Sequence, residues 1–129
     1  MNKYGKAAIR ATEIYHSNNT DIVLAWKQST SEIFPTQKAS RNKGCPKSAY
    51  LGLCEEGLVK GVPMGVYLRR GLNLNKQYAI DAVELLKSNQ THNINSKGLW
   101  NLVMNGEQKT SNSQMDVVLS LWDHGLIVR

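Results

Sequence analysis

The sequence predicts a mainly α-helical single domain, residues 1–129, built from two pseudo-symmetric three-helix units and one short β-hairpin after the first. Three observations predict it. First, the chain repeats itself. Residues 8–20 return 71 positions later as residues 79–91, with seven of thirteen positions identical. At the same offset Gln37-Lys38-Ala39-Ser40 matches Gln108-Lys109-Thr110-Ser111, and residues 51–59 match 119–127 at an offset of 68. The three-residue change in offset falls in a loop, where indels are tolerated. Second, apolar residues inside the blocks recur at spacings of three and four, the period of a helix face. Third, both final blocks end at a glycine, Gly57 and Gly125, where a helix closes in the left-handed conformation. The first unit runs over 3–71 and the second over 74–129.

Each element follows in order. Tyr4, Ala7, Ala8, Ala11, Ile14 and Tyr15 predict a helix near 3–17, and Ala79, Ala82, Val83 and Leu86 predict its counterpart near 75–88. Both stop in Ser-Asn. A second helix is expected over 21–34, with Thr20 as N-cap and Pro35 as its stop. Its counterpart spans 96–105, with Ser96 as N-cap and Asn105-Gly106 as its close. Polar loops follow at 37–44 and 107–112. The third helix has Pro46 near its first turn and the stripe Tyr50, Leu53, Cys54, Leu58. In the second unit Ser113 caps, and Val117, Val118, Leu121 and Trp122 form the stripe. Leu51, Leu53, Leu119, Leu121, Trp26, Trp100 and Trp122 are the expected core. Two β-prone stretches around Gly61 to Gly65 predict the hairpin over 59–70.

Composition narrows the function classes. The chain is 41% hydrophobic, and its longest apolar run, residues 22–26, is far short of the roughly 20 residues that span a bilayer. No membrane partner is expected. The polar N-terminal segment lacks the pattern of a secretory signal, which sets a cytoplasmic expectation. Cys45 and Cys54 would fall on opposite sides of one helix, so no disulfide is expected between them. The net charge of +6 is lopsided: residues 1–71 carry eleven Lys/Arg against five Asp/Glu, and residues 72–129 carry five of each. A basic half points to an anionic partner.

Residues 49–59, followed by Pro63-Met64-Gly65-Val66-Tyr67-Leu68, resemble the third helix and wing of the winged-helix family. The resemblance implies that Lys47, Ser48, Leu51 and Gly52 would face the major groove and that Lys60, Arg69 and Arg70 would hold backbone phosphates. Glu55 and Glu56 depart from that pattern, because they place two negative charges on the reading helix. The stretch from Cys45 to Gly61 also resembles a segment of small uncharacterised bacterial proteins of about this length. That second resemblance covers most of the chain and implies no activity.

The nucleic-acid reading rests on Arg41, Lys43, Lys47, Ser48, Lys60, Arg69 and Arg70. The alternative is a protein-interaction module with an acidic partner. A cysteine-dependent enzyme is the third reading. Cys45, at a helix N-terminus beside Lys43 and Lys47, is its candidate nucleophile, and it needs a base such as His16, His92 or His124. The Cys and His spacings match no zinc motif and no phosphate-cradling glycine loop is present, so no metal or cofactor is expected. His124 sits where a helix C-terminus favours a cation. Glu13 and Glu84, equivalent in the repeat, are read as helix-surface carboxylates.

Overall fold

The computed structural model describes residues 2–18, 20–69, 71–88 and 93–129. Its elements are α1 (Lys3–Asn18), α2 (Ile22–Ile33), the single turn α3 (Lys38–Arg41), α4 (Gly44–Glu55), α5 (Leu74–Lys87), α6 (Ser96–Met104) and α7 (Gln114–Asp123). The chain is mainly helical, as its periodicity predicts, and no sheet forms among the described residues.

Helices α2, α5 and α6 begin on side-chain caps, in α2 and α6 one residue away from the expected ones. Asp21, not Thr20, accepts the Leu24 N–H at 2.9 Å, and Asn95, not Ser96, accepts the Gly98 N–H at 2.8 Å. Both replacements offer a side-chain oxygen from extended backbone, which aims it at the first turn. Asn73 caps α5 in the same way. Ser113 precedes α7 but stands in the left-handed region and makes no capping bond. The segment around Lys38, expected as loop, closes into α3 instead.

α1 packs on α2 and α7, while α4 packs on α5 and α7. Small residues set these crossings. A Cβ on Gly5 of α1 would run into Ser120 on α7. A Cβ on Gly52 of α4 would stand 2.6 Å from Lys76 Cβ and 3.0 Å from Lys76 Cα on α5. The two crossings are reciprocal: Gly5 and Lys76 are 71 positions apart, and Gly52 and Ser120 are 68 apart. Thus α1 lies on α7, and α5 lies on α4.

The ends of α4 and α7 also meet. Gly57 and Gly125 both have φ of +69°, and Leu58 N–H and Leu126 N–H reach back to the carbonyls of Leu53 and Leu121 at 3.0 and 2.9 Å. This is the left-handed helix closure predicted at both glycines. Beyond it, Val59 and Ile127 form an isolated antiparallel bridge, with Lys60 N–H on Leu126 O and Val128 N–H on Leu58 O, both 2.8 Å.

That bridge corrects the hairpin expectation. The β-prone residues after α4 do not pair with one another: Val59 takes its partner from the far end of the chain. Residues 62–69 instead cross the end of α4 as an irregular strap. Gly65 N–H donates to Glu55 O, and the Glu55 carboxylate accepts the N–H groups of Tyr67 and Leu68 at 2.7 and 2.8 Å. A local carboxylate acceptor removes the backbone donors that a hairpin ladder would use, and Pro63 has none to give.

The core joins all the long helices. Ala7, Ala8 and Ala11 of α1, Trp26 of α2, Tyr50, Leu51 and Leu53 of α4, Leu99 and Trp100 of α6 and Leu121 of α7 are buried. Leu119 and Trp122, expected inside, are only half-buried, and Arg129 stacks over Trp122 at 3.8 Å.

Candidate anion-binding groove

A cationic concavity lies between α2, α3 and the start of α4. It encloses about 500 Å³ and is lined by Val23, Trp26, Lys27, Thr30, Ser31, Lys38, Arg41, Asn42 and Lys47. Four of the nine are cations and none is a carboxylate. None of the four forms a salt bridge among the described residues. α2 supplies Val23, Lys27, Thr30 and Ser31 from one helical face, at spacings of three, four and eight. α3 supplies Lys38 and Arg41 three apart, and so on one side of its turn. Tyr4 OH donates to Ser40 O at 3.0 Å and ties α3 to α1.

Trp26 forms part of the wall. It is 2% exposed and its ring stacks on Tyr50 with centroids 5.1 Å apart. Its Nε1 is buried without a hydrogen-bond partner, alone in this among the buried side-chain N and O atoms of the described residues. Leaving such a donor unpaired costs about 1–3 kcal/mol. Tyr50 beneath it is itself satisfied. Its OH lies 2.7 Å from Thr12 Oγ1, whose own proton goes to Ala8 O. Burial pushes the Tyr50 phenol well above its ordinary range.

The residues proposed from sequence divide between two ends of α4. Arg41 and Lys47 line the groove. Lys43 turns away, with its ammonium 5.7 Å from the Tyr4 ring. Ser48 is half-buried beside Lys47. Lys60 and Arg69 are exposed beyond the opposite end of α4, and Arg70 lies outside the described residues. Leu51 and Gly52, which the winged-helix resemblance turns toward a duplex, are fully buried against neighbouring helices. Among the described residues no hairpin forms, and so no wing. The sequence pattern does not single out Lys27, Lys38 and Trp26. The Val23, Lys27, Thr30 spacing was the signal that could have done so.

Glu55 and Glu56 are occupied. Lys76 reaches both carboxylates, at 2.7 and 2.8 Å. Burial pulls the Glu55 carboxyl upward, but Lys76 and the N–H groups of Tyr67 and Leu68 outweigh it and hold it below its ordinary value. The same node raises the Lys76 ammonium: burial lowers it, and the two carboxylates more than compensate.

Cys45 is half-buried and free, and it does not line the groove. The described histidines bond elsewhere. His16 Nε2 donates to Lys60 O and His124 Nδ1 to Ser120 O, both at 2.9 Å. His92 lies outside the described residues. Burial pushes the Cys54 thiol up to about 12. Glu13 and Glu84 are both exposed on their helices. Among the described residues no group of three or more His, Cys, Asp or Glu is placed to share a metal ion. No helix among them is long and apolar enough to cross a membrane.

The fold and groove define a small, mainly helical protein with a cationic bay lined in part by a tryptophan whose buried indole N–H is unpaired. The chain belongs to DUF6979, a family of unknown function whose model matches residues 1–128. No curated protein and no solved structure matches it.

Proposed function

We propose that this is a non-enzymatic binding protein that takes an anionic partner, favouring the phosphates of nucleic acid, at the groove between α2, α3 and α4. The observation that carries the reading is the set Lys27, Lys38, Arg41 and Lys47 around one concavity with no carboxylate in its wall. Unpaired cations at close range repel one another, and an incoming anion relieves that repulsion. Lys76 supports the reading from the other side, because it neutralises the two carboxylates of α4 that would repel phosphate. Reading the chain as two copies of one three-helix unit is supported by the reciprocal crossings at Gly5 and Gly52 and by the matched closures at Gly57 and Gly125. On that reading only the first copy carries the groove, so contact with a partner is one-sided.

The test is fluorescence anisotropy of a labelled random duplex at several salt concentrations. Four phosphate contacts give a slope of log K against log salt of about −3 to −4. The variant Lys27→Glu/Lys38→Glu/Arg41→Glu/Lys47→Glu loses binding, while Lys60→Glu/Arg69→Glu keeps most of it. Absence of binding at low salt, or binding indifferent to the groove variant, overturns the proposal. A second reading, docking to an acidic protein, is favoured by the linker before α5, where Met64, Val66 and Leu72 are 70%, 82% and 88% exposed.

A further inference from the structure

The two buried indoles differ in their hydrogen bonding. Trp100 Nε1 donates to Lys109 O at 2.9 Å. Lys109 is the residue that aligns with Lys38 in the repeat. In the second half that segment forms no helix, and its carbonyl takes the indole proton. In the first half the segment is helical, and Lys38 O accepts the N–H of Asn42 at 3.2 Å. Trp26 stands 74 positions before Trp100, one turn out of register with the 71-residue offset, and its Nε1 has no acceptor, in a residue that lines a bay with four cations. An anionic oxygen would satisfy the indole and the cations together.

We propose that the bay is a phosphomonoester site, in which Trp26 Nε1 donates to a phosphoryl oxygen and Lys27, Lys38, Arg41 and Lys47 neutralise the group. The inference rests on the anion-binding reading of the groove and narrows it. Charge density selects the ligand class. A phosphodiester brings one negative charge per nucleotide, whereas a terminal phosphate concentrates about −1.5 to −2 on three oxygens. Four cations around about 500 Å³ match the concentrated charge, and that volume admits a nucleotide-sized molecule. Less than 1 Å² of the indole nitrogen is open to solvent, so the ligand moves a lining side chain aside as it enters. α4 begins beside the bay with no side-chain cap on its first turn, which adds favourable dipole.

The shared chemistry has two sources, a free nucleotide or the 5′ end of a strand. Calorimetric titration uses AMP, adenosine, and one single strand carrying either a 5′-phosphate or a 5′-hydroxyl. The phosphorylated member of each pair binds at least about ten-fold more tightly. AMP binding as tightly as the phosphorylated strand identifies the free nucleotide; a ten-fold advantage for the strand identifies its end. Trp26→Phe keeps the ring on Tyr50 and weakens phosphate binding roughly five- to ten-fold, with unchanged helicity by circular dichroism. Trp100→Phe leaves binding unchanged. If the phosphate adds nothing, or Trp26→Phe binds like the parent, while the groove charge reversal still abolishes duplex binding, this inference falls and the wider reading stands. If no anion of any kind binds, both fall.

Discussion

Replacing Glu55 should loosen the structure at three places at once. Its carboxylate accepts Tyr67 N–H at 2.7 Å and Leu68 N–H at 2.8 Å and pairs with Lys76 at 2.7 Å, with its side chain only 10% exposed. A hydrogen bond to a charged group contributes about 1.5–3 kcal/mol when broken. Lys76 keeps Glu56 at 2.8 Å, and the freed N–H groups lie near enough to the surface to regain some water. The net cost of Glu55→Ala is therefore about 2–4 kcal/mol, or roughly 10 °C in Tm for a domain of this size. Glu55→Gln keeps a neutral acceptor and should lose about half as much. The pH dependence adds a second arm. The folded carboxyl is held below its ordinary 4.5, so its contribution is complete above that value and is lost as pH falls through the lowered one. The parent should lose more stability than Glu55→Gln between about pH 6 and about pH 3. Urea unfolding followed by circular dichroism measures both. A cost below about 0.5 kcal/mol for Glu55→Ala, or identical acid slopes, would refute the argument that this carboxylate holds the strap and α5 to α4.

Three further outcomes are expected. Trp26→Phe and Trp100→Phe remove the same buried volume, but only the second breaks a hydrogen bond and strands the Lys109 carbonyl, so Trp100→Phe should cost about 1–2 kcal/mol more; equal losses in chemical denaturation would contradict the contrast. Gly52→Ala drives a methyl to 2.6 Å from Lys76 Cβ and 3.0 Å from its Cα, where helix backbone must shift, and should cost about 1–3 kcal/mol in the same assay. In thiol labelling read by mass spectrometry, half-buried Cys45 should react in the native protein. Cys54, fully buried with its thiol pushed up to about 12, should react only on unfolding, and equal native rates would argue against the packing.

Helices were the legible part. Alanines at 7, 8 and 11 and the stripe of α7 follow a period that no strand would satisfy, and Gly57 and Gly125 mark closures that formed as expected. Cap positions slipped by one because Thr20-Asp21 and Asn95-Ser96 each offer two capping side chains, and only backbone geometry chooses between them. The hairpin failed for a different reason. β-propensity reports which residues suit a ladder, not which partner is near, and Val59 found Ile127. Half of the groove was legible too: Arg41 and Lys47 stood out as basic residues near a helix start. Lys27 and Lys38 did not, because on the sequence they belong to other elements.

By itself the sequence determined the number and span of the long helices, the helix-ending glycines and the charge excess of residues 1–71, because these depend on local period, backbone conformation and composition. Tertiary structure alone decided that α1 crosses α7 and that α5 crosses α4. That outcome depends on Gly5 meeting Ser120 and Gly52 meeting Lys76 across long separations. It also decided that residues 38–41 coil into α3 while residues 107–112 form no helix, and that Trp100 finds the Lys109 carbonyl while Trp26 Nε1, in a residue lining the cationic bay, finds no acceptor. Hydrogen-bond satisfaction is a property of what surrounds a group, and for Trp26 and Trp100 the surroundings come from segments that no local window contains.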